Sequence, residues 1–421
     1  MRSLTVLLLL SLAFLAPVGA QQSSETKSQQ EQADKKTKKE PSAQKSEQKK
    51  SEEATAKKTE PAPAQPEPKP GDDKKEERFD MTEVAPVVTH HQVTVNGNTL
   101  KYTATTGRLP IKRGDGKIEA QMFFVAYTLD GADPSKRPLT FAFNGGPGSA
   151  TIWLHMGALG PRRVALRTDG SLPPAPYQIE ENSNSLLDKS DLVFVDAIGT
   201  GYSRAETAEL SKKFWNVKGD IEAFSEFIRM YISRYERWNS PLFLFGESYG
   251  TTRSAGIAGR LAEEGISFNG ITLLSIALDF QTLVDTKAND EPYILLIPSF
   301  TMIAGYHHKL PADLEQDMAK ARQESEQWAS GEYAQALAKG DALSPQERQQ
   351  VIEHMARYTG LSKDVLDQAN LRIDVAKFTH YLLIDQKVRV GRLDGRFTGP
   401  DPDGLMDTPF YDPTEADVLP P

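Results

Sequence analysis

One run constrains this chain more than any other: Pro241-Leu242-Phe243-Leu244-Phe245-Gly246-Glu247-Ser248-Tyr249-Gly250. A short apolar, aromatic-rich segment ends at Gly246, and small residues at helical spacing follow from Thr251 to Ala258. The pattern predicts a strand, a tight turn and a helix, with a serine at the apex. Glycines on either side let strand and helix backbones approach, while the serine is held in a strained conformation with its hydroxyl outward. A serine so placed is a candidate nucleophile. The five letters alone also fit an ordinary turn, so the rest of the chain has to decide.

A length of 421 residues allows one large domain with extensions, or two domains. The chain opens Met1-Arg2, runs apolar from Leu4 to Leu15, and then reads Ala16-Pro17-Val18-Gly19-Ala20. That is the layout of a secretory signal, residues 1–20, with cleavage expected after Ala20; the apolar run is short for a spanning helix. Residues 21–80 are Gln, Ser, Lys, Glu, Ala and Pro with almost no large apolar side chain. Such a stretch cannot bury enough surface to offset its ordering entropy, so a disordered linker is expected, stiffened late by proline. Its role could be an inert tether or attachment to the cell envelope. No later stretch is apolar enough to span a membrane, so the mature chain is expected to be soluble, in the periplasm or outside the cell. There are no cysteines, which excludes disulfides and thiolate catalysis, so a large apolar core must hold the fold. The net charge of -9 comes without a basic, aromatic-interleaved stripe, which argues against nucleic acid as a partner. No cofactor is implied, and no His/Asp/Glu group has metal-ligand spacing.

From Pro86 the pattern changes. His91 to Ala104 alternates around Asn96-Gly97, a strong hairpin signal, and Ile118 to Thr128 reads as a third strand. Leu139 to Phe143 is an apolar strand followed by Asn144-Gly145-Gly146-Pro147-Gly148-Ser149-Ala150. A glycine cluster there serves either a plain turn or a site whose exposed amides stabilise an oxyanion. Asp191 to Asp196 is another apolar strand, residues 214–237 form a helix, and Gly270 to Leu278 a further strand. Strand and helix in alternation predict a mostly parallel sheet flanked by helices, an α/β fold. Beyond Ile297 strands are not expected. Helices are read over Pro311–Trp328, Ser344–Tyr358 and Ser362–Gln368, with Ser344, Pro345 and Glu347 as N-cap, first and third helical residues. This block, residues 297–390, reads as a helical cap inserted after the serine turn, within a domain spanning 84–421.

Three blocks in order resemble the serine carboxypeptidase family: Asn144 to Gly148, Val195-Asp196-Ala197-Ile198-Gly199-Thr200-Gly201-Tyr202-Ser203, and Gly246 to Gly250. The resemblance covers Phe123 to Leu274 well and the helical block loosely. Its cysteine-free, tethered form is similar to bacterial relatives. It implies an α/β-hydrolase fold and cleavage of C-terminal residues from peptides. Ser248 would be the nucleophile, the amides of Gly146 and Tyr249 the oxyanion hole, and Asn144, Gly145 and Glu247 the holders of the substrate's C-terminal carboxylate. A glutamate facing that carboxylate cannot pair with it while both are ionised. One of the two must hold a proton, so cleavage is expected to weaken as pH rises toward neutral. Two departures stand out: Ala158 replaces a frequent acidic residue, and Ser149-Ala150 replaces the family's cysteine and serine.

A serine hydrolase of this fold needs an acid and then a histidine after the serine. His307 and His308 precede a helix without a strand-end aspartate, whereas His354 and His380 lie in helix-like stretches. Asp279 ends a strand, but ahead of the helical insertion. None fits, so the C-terminal part of the fold that would carry the acid and base is expected to be missing. Three readings stay open: a carboxypeptidase, an esterase or other acyl hydrolase on the same scaffold, and a surface-binding relative without its base.

Overall fold

The computed structural model describes residues 78–168, 170–284, 286, 288–401 and 412–416. The signal segment and nearly all of the expected linker lie outside the described residues. The linker's last residues are already attached to the domain: Arg78 bridges to Thr207, and the Phe79 amide donates to the Glu206 carbonyl at 2.9 Å.

The expected hairpin forms between Val87–Val95 (β1) and Asn98–Lys112 (β2), with Val95 opposite Asn98. Asn96 and Gly97 both take positive φ, 49° and 79°, as a two-residue turn matched to strand twist demands. Ile118–Leu129 (β3) pairs antiparallel with β2. Next come Leu139–Phe143 (β4), Asp191–Val195 (β5), Leu242–Glu247 (β6) and Gly270–Leu274 (β7), parallel to one another where they pair. The order across the sheet is β1-β2-β3-β5-β4-β6-β7, with Arg204–Ala205 also paired to β3. Every residue of β4 and β5 is buried, as expected of parallel strands covered on both faces. After β4 the chain places β5 on one side and β6 on the other. A crevice opens outside the carboxyl ends of strands at such a reversal, and the glycine-rich loop and Ser248 both start there.

Val217–Arg234 (α1) is capped by Asn216, whose side chain accepts from the Gly219 amide. Its buried face carries Phe224, Phe227, Ile228, Tyr231 and Ile232, and the Tyr231 ring meets Phe124 and Phe141 edge-on at 5.6 and 5.5 Å. Each such side chain contributes roughly 1.5–3 kcal/mol by leaving water. Tyr249–Glu263 (α2) joins the same core through Ile257 and Leu261. At the amino ends of the strands, away from the crevice, buried Asp191 accepts from Arg237 at 2.8 Å and from Arg137 at 3.1 Å.

Beyond the sheet lies a helical block with its own core, where Phe300 stacks on Phe378 at 4.0 Å between ring centres. The capping box at Ser344 and Glu347 forms. Four features differ from expectation. The block begins with a helix at Glu291–Tyr306, not near 297; that run is apolar on every face and holds Pro292 and Pro298, so it shows no helical period. The helix expected over Pro311–Trp328 breaks into Ala312–Glu315 and Met318–Trp328, where Asp317 caps the second piece by accepting from the Lys320 amide. Strands also recur past 297: Val388–Val390 pairs antiparallel with Thr398–Pro400. The strand read to Leu278 ends at Leu274, turned by Ser275 at φ 52°. Among the described residues no helix is long and apolar enough to cross a membrane.

Candidate active site

Strand β6 delivers Ser248 to the crevice at φ 56° and ψ -126°, a region that costs a non-glycine residue roughly 1–3 kcal/mol. Neighbouring bonds hold it there. Its amide donates to the Leu274 carbonyl at 2.9 Å, and its carbonyl accepts from the Thr251 amide at 2.9 Å and the Thr251 hydroxyl at 2.7 Å. The Thr251 hydroxyl oxygen in turn accepts from the Ala277 amide at 2.9 Å. The serine is thus fixed from both sides while its hydroxyl hydrogen-bonds to no described residue. The turn closes only because position 246 has no side chain: a Cβ on Gly246 would lie 2.1 Å from the Gly250 carbonyl oxygen.

The loop after β4 presses on the same turn. A Cβ on Gly145 would sit 2.4 Å from the Tyr249 amide nitrogen, so only glycine permits this approach. Among the described residues, neither the Gly146 nor the Tyr249 amide donates to a carbonyl. Both are free to face a negative oxygen. Asn144 joins the two segments through its side chain, which donates to Glu247 Oε2 at 2.9 Å and accepts from the Leu154 amide at 3.0 Å. The structure therefore brings Asn144, Gly145, Gly146, Glu247, Ser248 and Tyr249 together. Ala158 is exposed and offers only its carbonyl, which accepts from Asn182 at 2.7 Å.

Asp196, in the second sequence block, holds the far end of that loop by accepting from the Thr151 amide at 2.8 Å. Burial pushes its carboxyl above the usual range, against the Thr151 and Tyr202 amides. An apolar recess of about 410 Å³ opens beside Tyr249, walled by Pro147, Ile198, Phe214, Trp215 and Val217.

The histidines lie elsewhere. His380 is fully buried in the helical block, where its Nδ1 meets Asp401 at 2.5 Å and Arg389 at 3.1 Å. His307 bonds to the Gly395 carbonyl, His308 approaches Glu315, and His354 approaches Glu332. Asp279 caps a short 3-10 turn through the Gln281 amide. Among the described residues no group of three or more His, Asp or Glu could hold a metal ion.

Two residues near the site escape a reading of the sequence. Arg253 is 1% exposed, bidentate to Asp220 at 2.7 and 3.1 Å, and donates to the Asn144 carbonyl at 2.7 Å. Its signal was available: Gly250, Arg253, Ser254, Ile257 and Leu261 form one stripe of α2, and an arginine in a buried stripe needs a partner. His155 hydrogen-bonds to the Tyr127 hydroxyl at 2.7 Å and stacks on Phe194 at 4.5 Å; burial pulls it down to about 4. Nothing in the sequence marks that position.

The sequence profile of the serine carboxypeptidases matches residues 96–377. The chain belongs to the serine carboxypeptidase family. No curated protein sequence matches it. Among solved structures it is similar to Kex1(delta)p, a prohormone-processing carboxypeptidase from Saccharomyces cerevisiae, at 19% identity and TM-score 0.39, covering 61% of this chain and 53% of that one. The chain thus spans about half the length of that structure. Looser likenesses are the peroxisomal alpha-beta-hydrolase Lpx1 of the same yeast and a cold-adapted esterase from an Arctic intertidal metagenomic library. Lpx1 aligns at 10% identity, TM-score 0.26 and coverage of 41% and 44%. The esterase aligns at 11% identity, TM-score 0.26 and coverage of 47% and 68%. The fold is that of the α/β-hydrolases, a mixed sheet flanked by helices and parallel across β5, β4, β6 and β7.

Proposed function

We propose that this serine carboxypeptidase-family chain acts on peptides as an exported carboxypeptidase. The observation that carries the reading is the 2.9 Å hydrogen bond from Asn144 to Glu247 beside Ser248. It sets an amide and a carboxyl side by side where a substrate's free C-terminal carboxylate would lie, with Gly145 adjoining. The Ser248 oxygen attacks the carbonyl carbon of the last peptide bond, giving its proton to a base, and the amides of Gly146 and Tyr249 receive the oxyanion. The C–N bond then breaks, the leaving amine takes a proton, and water releases the acyl group from Ser248. Export is supported by the charged start, apolar run and small residues of positions 1–20, and envelope attachment by the polar linker. N-terminal sequencing of secreted protein tests export: an N-terminus other than Gln21 would count against cleavage after Ala20.

A second reading has its own observation. No described residue hydrogen-bonds to the Ser248 hydroxyl, so the chain could bind peptide termini without cleaving them. A fluorophosphonate that labels Ser248 separates the readings: rapid labelling supports the enzyme, and none supports the binder. Titration with a peptide acid and its amide tests the carboxylate site, and equal affinity would sink it. Wild type should hold the acid more tightly as pH falls, and Glu247→Gln should lose that dependence. An unchanged profile in the variant would remove Glu247 from the site.

A further inference from the structure

We infer that Arg253 is a positioning residue that aims the Gly145 amide at the substrate's terminal carboxylate, with Asp220 neutralising its charge. Each guanidinium nitrogen has a partner. Nε and Nη2 donate to the two oxygens of Asp220 on α1 at 2.7 and 3.1 Å, and Nη1 donates to the Asn144 carbonyl at 2.7 Å. Its plane lies against aromatic rings, 4.3 Å from the centre of Phe224 and 5.4 Å from that of Tyr249. Planar forks of this kind fix geometry, as a lysine's single ammonium cannot. Arg253 therefore ties α2, α1 and the loop after β4 to one point.

The consequence follows from peptide geometry. In a trans peptide the carbonyl oxygen and the next residue's N–H point in opposite directions. Arg253 draws the Asn144 oxygen inward, so the Gly145 N–H points the other way, and it donates to no described carbonyl. The Asn144 side chain is fixed in turn by Glu247 and the Leu154 amide, so a twist of this peptide would also move the Asn144–Glu247 pair. A charged pair hidden this deeply adds little net stability over apolar residues of similar size. What apolar residues could not supply is the donor to the Asn144 oxygen. This assignment takes its ligand from the carboxylate reading above.

The test replaces the pair by apolar residues, Asp220→Leu with Arg253→Met, and compares it with Arg253→Lys. Three quantities are measured: thermal midpoint, affinity for an acetylated tripeptide acid and its amide, and hydrogen exchange of the Ser149 amide, which donates to the Gly145 carbonyl at 3.2 Å. The double variant should keep its midpoint while acid affinity falls about tenfold or more, a loss typical of a misplaced charge-assisted hydrogen bond, with amide affinity unmoved. Exchange should quicken at Ser149, whose acceptor is the Gly145 carbonyl. Arg253→Lys keeps Asp220 paired and should still lose discrimination, which decides the matter if the double variant is poorly folded. Unchanged discrimination in a folded variant overturns the proposal, as does a loss that only tracks a falling midpoint. If wild type itself binds acid and amide equally, the carboxylate reading has failed. The exchange result then still judges the positioning: quickened exchange at Ser149 upholds it, and unchanged exchange overturns it.

Discussion

Replacing His155 by glutamine should remove a component of acid lability that the wild-type fold carries between pH 6.5 and about 4. Burial against Phe194 and Tyr127 lowers this histidine from 6.5 to about 4. In the unfolded chain the ring takes its proton near 6.5, whereas the folded ring stays neutral until about 4. Within that window only the unfolded state binds the proton. The stabilisation from the neutral, half-buried ring is therefore complete above the upper value and drains away as pH falls. The size of the shift corresponds to roughly 3 kcal/mol, a large share of a domain's usual margin. Glutamine preserves an acceptor for the Tyr127 hydroxyl and cannot titrate. Asp196 acts in the opposite sense, because its raised carboxyl takes a proton in the fold first and so gains stability as pH falls. Absolute slopes mix the two, so the difference between wild type and His155→Gln isolates the histidine. Urea unfolding across the window supplies it. Parallel curves would refute the reasoning. The result also bears on use, since a carboxylate site favoured by acid would work while the fold beneath it is losing this support.

Three further outcomes follow from the same packing. Asp191→Ala leaves Arg137 and Arg237 buried without their carboxylate, and should cost about 3–5 kcal/mol in urea unfolding without altering peptide affinity at low temperature. Loss of affinity in the folded variant would refute the separation of the strands' two ends. Ser248→Gly should abolish fluorophosphonate labelling yet stabilise the fold by about 1 kcal/mol, because glycine accepts φ 56° without strain; a destabilised variant would deny that strain. Gly145→Ala should impair peptide-acid binding about tenfold or more, since its methyl would lie 2.4 Å from the Tyr249 amide; undiminished binding would mean that the loop can retreat.

The parts of the fold that were legible are those whose signals are local. Asn96-Gly97 forces a two-residue turn, the apolar runs at Leu139 and Asp191 can only be interior strands, and Ser344-Pro345-Gln346-Glu347 writes a helix start. The helix Glu291–Tyr306 was not legible, because an apolar segment without a polar face has no period to read. Gly270–Leu274 has the composition of an interior strand but lies at the end of the sheet, with Ile271 and Leu274 42% and 44% exposed. Neighbours across a sheet are not in the strand's own letters. The candidate site divides the same way. Ser248, Glu247 and the glycine loop are marked by backbone demands that restrict residue choice. Arg253 and Asp220 act through contacts between α2 and α1, 33 positions apart, and only the oddity of an arginine in a buried stripe pointed to them.

The wiring of the crevice bears on what chemistry the described residues can support. Everything that would recognise negative charge is tied down by neighbours: Asn144 by Glu247, Leu154 and Arg253, the serine backbone by Thr251 and Leu274, the loop's end by Asp196. The Ser248 hydroxyl, in contrast, has no described partner to take its proton. These halves of a serine hydrolase are separable in energy. Enzymes stripped of the base keep about 10³–10⁴-fold acceleration over water from the oxyanion site and binding alone, far below a complete triad. Preorganised donors need no proton transfer to act, so terminal-carboxylate binding should reach full strength whether or not a base stands beside Ser248. On the carboxypeptidase reading, affinity for peptide acids would therefore be the property that the described residues determine by themselves, and turnover the property that depends on what meets the serine hydroxyl.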